Sequence, residues 1–250
     1  MTSVKGFSLI ATPCCRSLYS IPQYRSINLS ASEYWTDGYK EGSLFNNDGG
    51  LRKCKCGEFY LLKDAIKLEL DAKPDTPKSV YVEGTDLSQA IENASNLELE
   101  LIARRLYWRY LNHPYRDLYR KHREVQEAKW EKENPRPNKF KIIILGLFKN
   151  IDYKKNQKSK PFTTPPFDPS QVQVKNMLKL LELITEVSDI NNEIKGDDII
   201  EVAELYRELG EFEMAKGILD EHYEDNPAIR KKIIYLMIEE ANSAPCRFNY

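Results

Sequence analysis

Apolar and polar positions follow three different rhythms along the chain. Through residues 1–64 the apolar residues come in short bursts divided by turn formers. Glu33-Tyr34-Trp35-Thr36 and Tyr39-Lys40 flank Asp37-Gly38, which predicts a hairpin with a two-residue turn. Asn46-Asn47-Asp48-Gly49-Gly50 reads as a loop. Leu51 to Cys54 and Glu58 to Leu62 flank Lys55-Cys56-Gly57 and predict two short strands meeting at a tight turn. This part is expected to be a small β-rich module.

A connector with Pro74 and Pro77 follows, over residues 71–86. The rhythm then becomes helical. Asp86 is a candidate cap for one long helix carrying Leu97, Leu99, Leu101, Ile102, Leu106, Tyr107, Trp108, Tyr110 and Leu111. These residues occupy more than one face, which predicts a well-buried helix. His113-Pro114 should end it. A second, strongly charged helix is predicted from Tyr115 to about Glu133, stopped by Pro135 and Pro137.

Over residues 140–151, three successive isoleucines suit a strand. Phe140, Ile143, Ile144, Leu147, Phe148 and Ile151 form a stripe at helical spacing, and that reading is preferred here. Pro161, Pro165, Pro166 and Pro169 make residues 154–169 an extended linker. Beyond Ser170 the pattern predicts helices at about 170–188, 198–209, 212–223 and 228–241. The expected fold class is α+β, mostly α. It comprises a β-rich module (1–70), a helical region (86–152), a Pro-rich linker (153–169) and a helical module (170–245).

Composition narrows the class. The chain has 250 residues, 41% hydrophobic and 30% charged, with a net charge of −1. Those values fit a globular protein and give no global bias toward nucleic acid or membrane. The average conceals two blocks. Residues 136–160 hold eight cations against Asp152, a net +7, and residues 186–225 hold fourteen acids against Lys195, Arg207 and Lys216, a net −11. They could pair within the chain, attract different partners or simply be solvated faces. No segment reaches the ~18 apolar residues of a membrane span. Lys5 and the brief Phe7–Ala11 stretch fall short of a signal sequence, and Pro13 argues against cleavage ahead of Cys14. A cytoplasmic protein is expected.

Four of the five cysteines fall in two close pairs, Cys14-Cys15 and Cys54-Lys55-Cys56. Four thiolates complete a closed tetrahedral zinc shell. Cys54 and Cys56, one residue apart, share a face if the chain is extended there. Gly57 permits a turn and leaves amide hydrogens to bond sulfur. Adjacent Cys14 and Cys15 point apart in a strand, so they need a bend, which Pro13 helps impose. Redox-active thiols, an adjacent-cysteine disulfide and unliganded core cysteines are the alternatives. No histidine lies near these cysteines in sequence, and Cys246 looks unrelated. The segment Cys54–Gly57 between β-like stretches resembles one knuckle of a zinc ribbon. It departs from that family in having one residue between its cysteines and thirty-eight between its pairs.

Residues 196–229 resemble one tetratricopeptide repeat. Ile199 and Val202 stand at its first apolar positions and Ala203 at its small position. Tyr206 is its tyrosine, Gly210 its turn glycine and Phe212 the aromatic that follows. Ala215 and Leu219 lie on its second helix, and Pro227 closes it. His222 departs from the pattern. The resemblance implies a helix–turn–helix unit that binds a protein or peptide, with Tyr206, Gly210, Phe212 and Ala215 at its centre. A single unit of about 34 residues cannot bury its own apolar face. The flanking helices are its expected packing partners, and a purely structural hairpin is the other reading.

Arg104, Arg105, Arg109, Arg116 and Arg120 interleave with Tyr107, Trp108, Tyr110, Tyr115 and Tyr119. Cations beside aromatic faces suit phosphate contact and base stacking. Equally, the aromatics can be core and the arginines can pair with Glu98, Glu100 and Asp117. Neither a phosphate-binding glycine loop nor a nucleophile elbow is visible. The leading expectation is a non-enzymatic zinc protein with an unidentified protein partner and no membrane association. A nucleic-acid-associated zinc protein and a thiol-based redox sensor or enzyme are the alternatives.

Overall fold

The computed structural model describes residues 3–27, 30–42, 48–134, 162–191, 196–221 and 229–248. The expected helix over 140–151, the basic block 136–160, and His222 and Pro227 lie outside them. Helices predominate over small antiparallel sheets, so the fold is α+β, mostly α. Among the described residues no helix is long and apolar enough to cross a membrane. The chain forms two compact units, Met1–His113 with Asp168–Tyr250, and Pro114–Phe167.

In the first unit three sheets form from chain-local hairpins, each with one added strand. β1 (Ser3–Ala11) and β2 (Leu18–Ser26) make the first hairpin, and β7 (Ile66–Asp71) joins β1. β3 (Glu33–Trp35) and β4 (Lys40–Glu41) make the second, with β9 (Arg247–Phe248) beside β3. β5 (Leu51–Lys53) and β6 (Phe59–Leu61) make the third, with β8 (Val80–Tyr81) beside β5. Hairpins at 33–41 and 51–61 stand where the sequence predicts them, but the first turns through three residues, Thr36 to Gly38, and not two: the Trp35 amide donates to the Tyr39 carbonyl at 3.0 Å. β1, β2 and β7 go unannounced in the hydrophobic pattern because most of their side chains remain exposed or half-exposed.

The predicted long helix over 86–111 is two helices, α1 (Asp86–Glu92) and α2 (Leu97–Leu111). Asn96 causes the break: its side-chain oxygen accepts the Leu99 amide hydrogen at 2.9 Å, an N-cap that starts a new helix. Asp86 sits in the first turn of α1 and bonds Lys53 at 2.9 Å, while Thr85 precedes the helix. Both faces of α2 are buried, as predicted. Leu99, Ala103 and Leu106 pack with Leu51, Phe59, Leu61, Leu87 and Ala90. Leu101 and Trp108 pack with Met177, Leu180, Leu183 and Ile184 of α4 (Gln171–Asn191). α2 is thus the spine between the sheets and the C-terminal helices. Those are α5 (Gly196–Glu208), α6 (Phe212–Glu221) and α7 (Ile229–Glu239). Their shared core is Ile200, Ala203, Ala215, Leu219, Ile234 and Ile238.

The second unit contains most of α3 (His113–Glu133). A Pro-rich segment without regular structure, residues 162–167, lies along it. Phe162 packs edge-on to Tyr119 and Phe167 to Tyr115, each with ring centroids 5.0 Å apart. The Tyr115 hydroxyl donates to the Pro165 carbonyl at 3.1 Å.

Candidate metal centre

The four clustered cysteines sit at the tips of two hairpins. The β1–β2 tip spans residues 13–16. The Thr12 amide donates to the Ser17 carbonyl at 3.0 Å and the Arg16 amide to the Thr12 carbonyl at 3.2 Å. Arg16 takes a left-handed φ of 58°, which reverses the chain. Cys14 and Cys15 therefore occupy a turn, the bend their adjacency demands.

The second tip is residues 55–57. The Cys54 amide donates to the Glu58 carbonyl at 2.8 Å, the Gly57 amide donates to the Cys54 carbonyl at 3.0 Å, and Gly57 has φ 96°. This is a three-residue hairpin loop with a left-handed glycine. Cys54 and Cys56 converge because of this turn, not because they alternate along a strand.

All four sulfur atoms lie within 4.8 Å of one another. Cys15 to Cys54 and Cys14 to Cys56 are each 3.5 Å. Four sulfurs held ~2.3 Å from a tetrahedral ion stand about 3.8 Å apart, so the cluster has the size and donor number of a metal site. A sulfur–sulfur bond is about 2.05 Å, and these cysteines are free thiols.

Surrounding groups favour charged sulfur. Backbone amides two residues on bond three of the thiols: Ser17 to Cys15, Cys56 to Cys54 and Glu58 to Cys56. The Gly57 amide is committed to the turn, so the amides on either side of it act on sulfur instead. The Ser17 hydroxyl lies 2.9 Å from the Cys15 sulfur and the Thr12 hydroxyl 3.6 Å from that of Cys54. The Tyr19 hydroxyl accepts the Lys55 amide hydrogen at 2.8 Å and ties one hairpin to the other. Thr12, Ser17 and Tyr19 were not singled out from sequence, although two of them bracket Cys14-Cys15 closely.

The thiols titrate unequally. The Ser17 hydroxyl and amide lower Cys15. Burial opposes the Cys54 thiolate, yet the Cys56 amide and the Thr12, Cys15 and Cys14 side chains lower it to about 6. The Glu58 amide favours a Cys56 thiolate, but desolvation and the Cys14, Cys54 and Cys15 thiols together push it up to about 12. Four thiolates this close repel one another, and a cation among them removes the conflict. Cys54 is buried, whereas Cys14, Cys15 and Cys56 are exposed. Cys246 lies outside the cluster, and burial raises it to about 11.

No protein-family model, curated protein or solved structure matches the chain.

The other predicted residues lie elsewhere. Gly210 (φ 83°) ends α5: its own amide bonds the Arg207 carbonyl and the Glu211 amide bonds that of Tyr206, the pairing of a Schellman end. Ala203 and Ala215 are fully buried where α5 meets α6, and Tyr206 and Phe212 pack on the same core. The arginines are engaged within the protein. Arg104 pairs with Glu100, Arg105 with Asp198 and Glu201, and Arg120 with Asp117. Arg109 donates to the Asp37 carbonyl, and Arg116 is 1% exposed.

A second polar cluster escaped the sequence reading. The Asn112 amide nitrogen bonds Asp37 at 3.1 Å and Glu208 at 3.1 Å, and Trp108 donates to Glu208 at 2.8 Å. Both carboxylates are buried. Beside them Arg207 pairs with Glu204 at 2.6 Å and donates to the Asn242 carbonyl. Burial first, then the charges of Glu204 and Asp37, raises Glu208 well above the ordinary carboxylate range.

Proposed function

We propose that the four thiolates hold one structural zinc ion, and that the protein is a non-enzymatic interaction module whose N-terminal part this ion ties together. The observation that carries the reading is the convergence of four sulfurs, within 4.8 Å, from the tips of two hairpins. Soft thiolates in a tetrahedral set suit zinc. A four-sulfur shell is closed, which fits a structural role better than a catalytic one. Two turns presenting paired cysteines are also what the zinc-ribbon resemblance implies.

The partner surface is assigned to the tetratricopeptide-like helices. These helices expose Met214 and Leu236 and also Asp197, Glu211, Glu213, Asp220 and Glu221. Such a surface suits a basic protein segment with an apolar anchor.

Elemental mass spectrometry of the native protein tests the first part. One zinc per chain, lost together with the release of four reactive thiols on chelation, is expected. A metal-free protein with the thiols already reactive sinks it. For the second part, Glu211, Glu213, Asp220 and Glu221 are changed to lysine. The variant should keep its zinc and helicity but lose the proteins that co-purify with the unaltered chain. Unchanged co-purification removes this surface from the account.

A further inference from the structure

The same sulfurs that can share an ion are also paired across the hairpins. The two 3.5 Å contacts, Cys14 with Cys56 and Cys15 with Cys54, each join one tip to the other. Pairing within a tip is disfavoured by the backbone, because Cys14 and Cys15 are adjacent and only Lys55 separates Cys54 from Cys56. Cys14 and Cys56 are both exposed, whereas Cys54 is 3% exposed. One pair thus faces a dissolved oxidant and the other is shielded on one side.

We propose that the cluster is also a redox site of two successive two-electron steps, at which one hydrogen peroxide converts Cys14–Cys56 first and a second converts Cys15–Cys54 into disulfides joining the same two hairpins. The metal-releasing part rests on the zinc reading; the pairing does not. In each step one thiolate attacks a peroxide oxygen. A sulfur–oxygen bond forms, the oxygen–oxygen bond breaks, and hydroxide leaves. The partner thiolate then attacks the sulfenic sulfur and displaces a second hydroxide. Each disulfide gives two electrons to one hydrogen peroxide. With two protons the products are the disulfide and two waters. The ion loses two ligands at the first step and the rest at the second. A dithiol reductant reverses both.

Swapping metal for disulfides preserves the juxtaposition of the tips, since the crosslinks connect the same partners. Oxidation and chelation therefore have opposite effects on the module. Oxidised, metal-free protein keeps slow amide exchange in residues 8–11, 18–21 and 51–61. Chelated, reduced protein loses it.

The test uses the full chain and hydrogen peroxide, with zinc release followed by a metallochromic dye and disulfides mapped by tandem mass spectrometry. Trypsin cuts after Lys53 and Lys55, so Cys54 and Cys56 fall on different peptides. Cys14→Ser and Cys15→Ser variants separate the adjacent pair. The Cys15→Ser variant should give Cys14–Cys56 only, and Cys14→Ser should give Cys15–Cys54 at a rate at least several-fold lower. Disulfides within a tip or between chains, or sulfinic acids in place of disulfides, overturn the proposal and leave the zinc reading intact. A metal-free native protein that still forms the two cross-tip disulfides sinks the zinc reading and keeps the pairing.

Discussion

The hairpin tips at Trp35–Tyr39 and Cys54–Glu58 share one backbone and have opposite uses. In each, the first residue's amide donates to the carbonyl four residues on, at 3.0 and 2.8 Å. In each, a left-handed glycine closes the loop, Gly38 at φ 80° and Gly57 at φ 96°. Around Gly57 a methyl group would meet nothing within 4 Å, and the tip presents Cys56 to solvent. Around Gly38 it would meet Arg109 Nη2 at 3.0 Å and Arg230 Nη2 at 3.4 Å. That tip is buried, and it places Asp37 and Thr36 among α2, α5 and the C-terminal strand. A turn fixes where side chains point; what surrounds it decides whether they bind a ligand or join the core.

The largest test of the contrast removes the sulfur. Cys54→Ser should abolish stoichiometric metal and unfold the surface tip, since such sites contribute roughly 10–16 kcal/mol of apparent metal-binding free energy. Elemental analysis and amide exchange over residues 51–61 read the outcome. Retained metal would show that this tip does not need its buried thiol.

The buried tip is broken through its polar bridge. Asn112→Leu strands Asp37 and Glu208 without the amide they share. A loss of about 3 kcal/mol is expected in urea unfolding, at unchanged m-value. Glu208 gives the same junction a pH signature. Its folded pKa is raised, so the native state keeps a proton that the unfolded chain has lost above about pH 4.3. Stability should therefore fall as pH rises through the window between that value and the raised one. Glu208→Gln should flatten this slope in thermal melts between pH 5 and 8, and an unchanged slope would assign it to another group.

Smaller changes compare the two tips directly. Gly57→Ala should cost about 1 kcal/mol from the left-handed backbone alone, whereas Gly38→Ala should cost roughly 2–3 kcal/mol because the arginines must also move. Equal losses would erase the distinction. Ala241→Gly acts on the tail that backs the buried tip. Ala241 holds φ 48° at the end of α7, a position where Gly210 serves at the end of α5. The substitution should stabilise by about 1 kcal/mol, read as a shift in urea midpoint.

The sequence made much of this legible where chemistry is local. The four cysteines, the hairpins at 33–41 and 51–61, both buried faces of α2 and the helix end at Gly210 follow from neighbours in the chain. The β1–β2 hairpin was hidden because an exposed sheet has no strong apolar alternation. The split of the first helix turned on Asn96 choosing to cap. The junction of Asp37, Asn112 and Glu208 could not be read at all: its members lie far apart in sequence, and each alone is an ordinary surface residue type.

The last strand carries a consequence for synthesis on the ribosome. Tyr34 pairs with Phe248 and Thr36 bonds Cys246, across more than two hundred positions. The two cysteine tips, both complete by residue 61, can meet an ion while the helices are still being translated. The Trp35 hairpin must wait, its β3 edge unpaired and its tip unburied, until residues 247–248 emerge. A nascent chain is thus open to edge-to-edge association at β3 until β9 is made, and a chaperone that shields that edge would act on the described sheet whose third strand lies farthest along the chain from its hairpin.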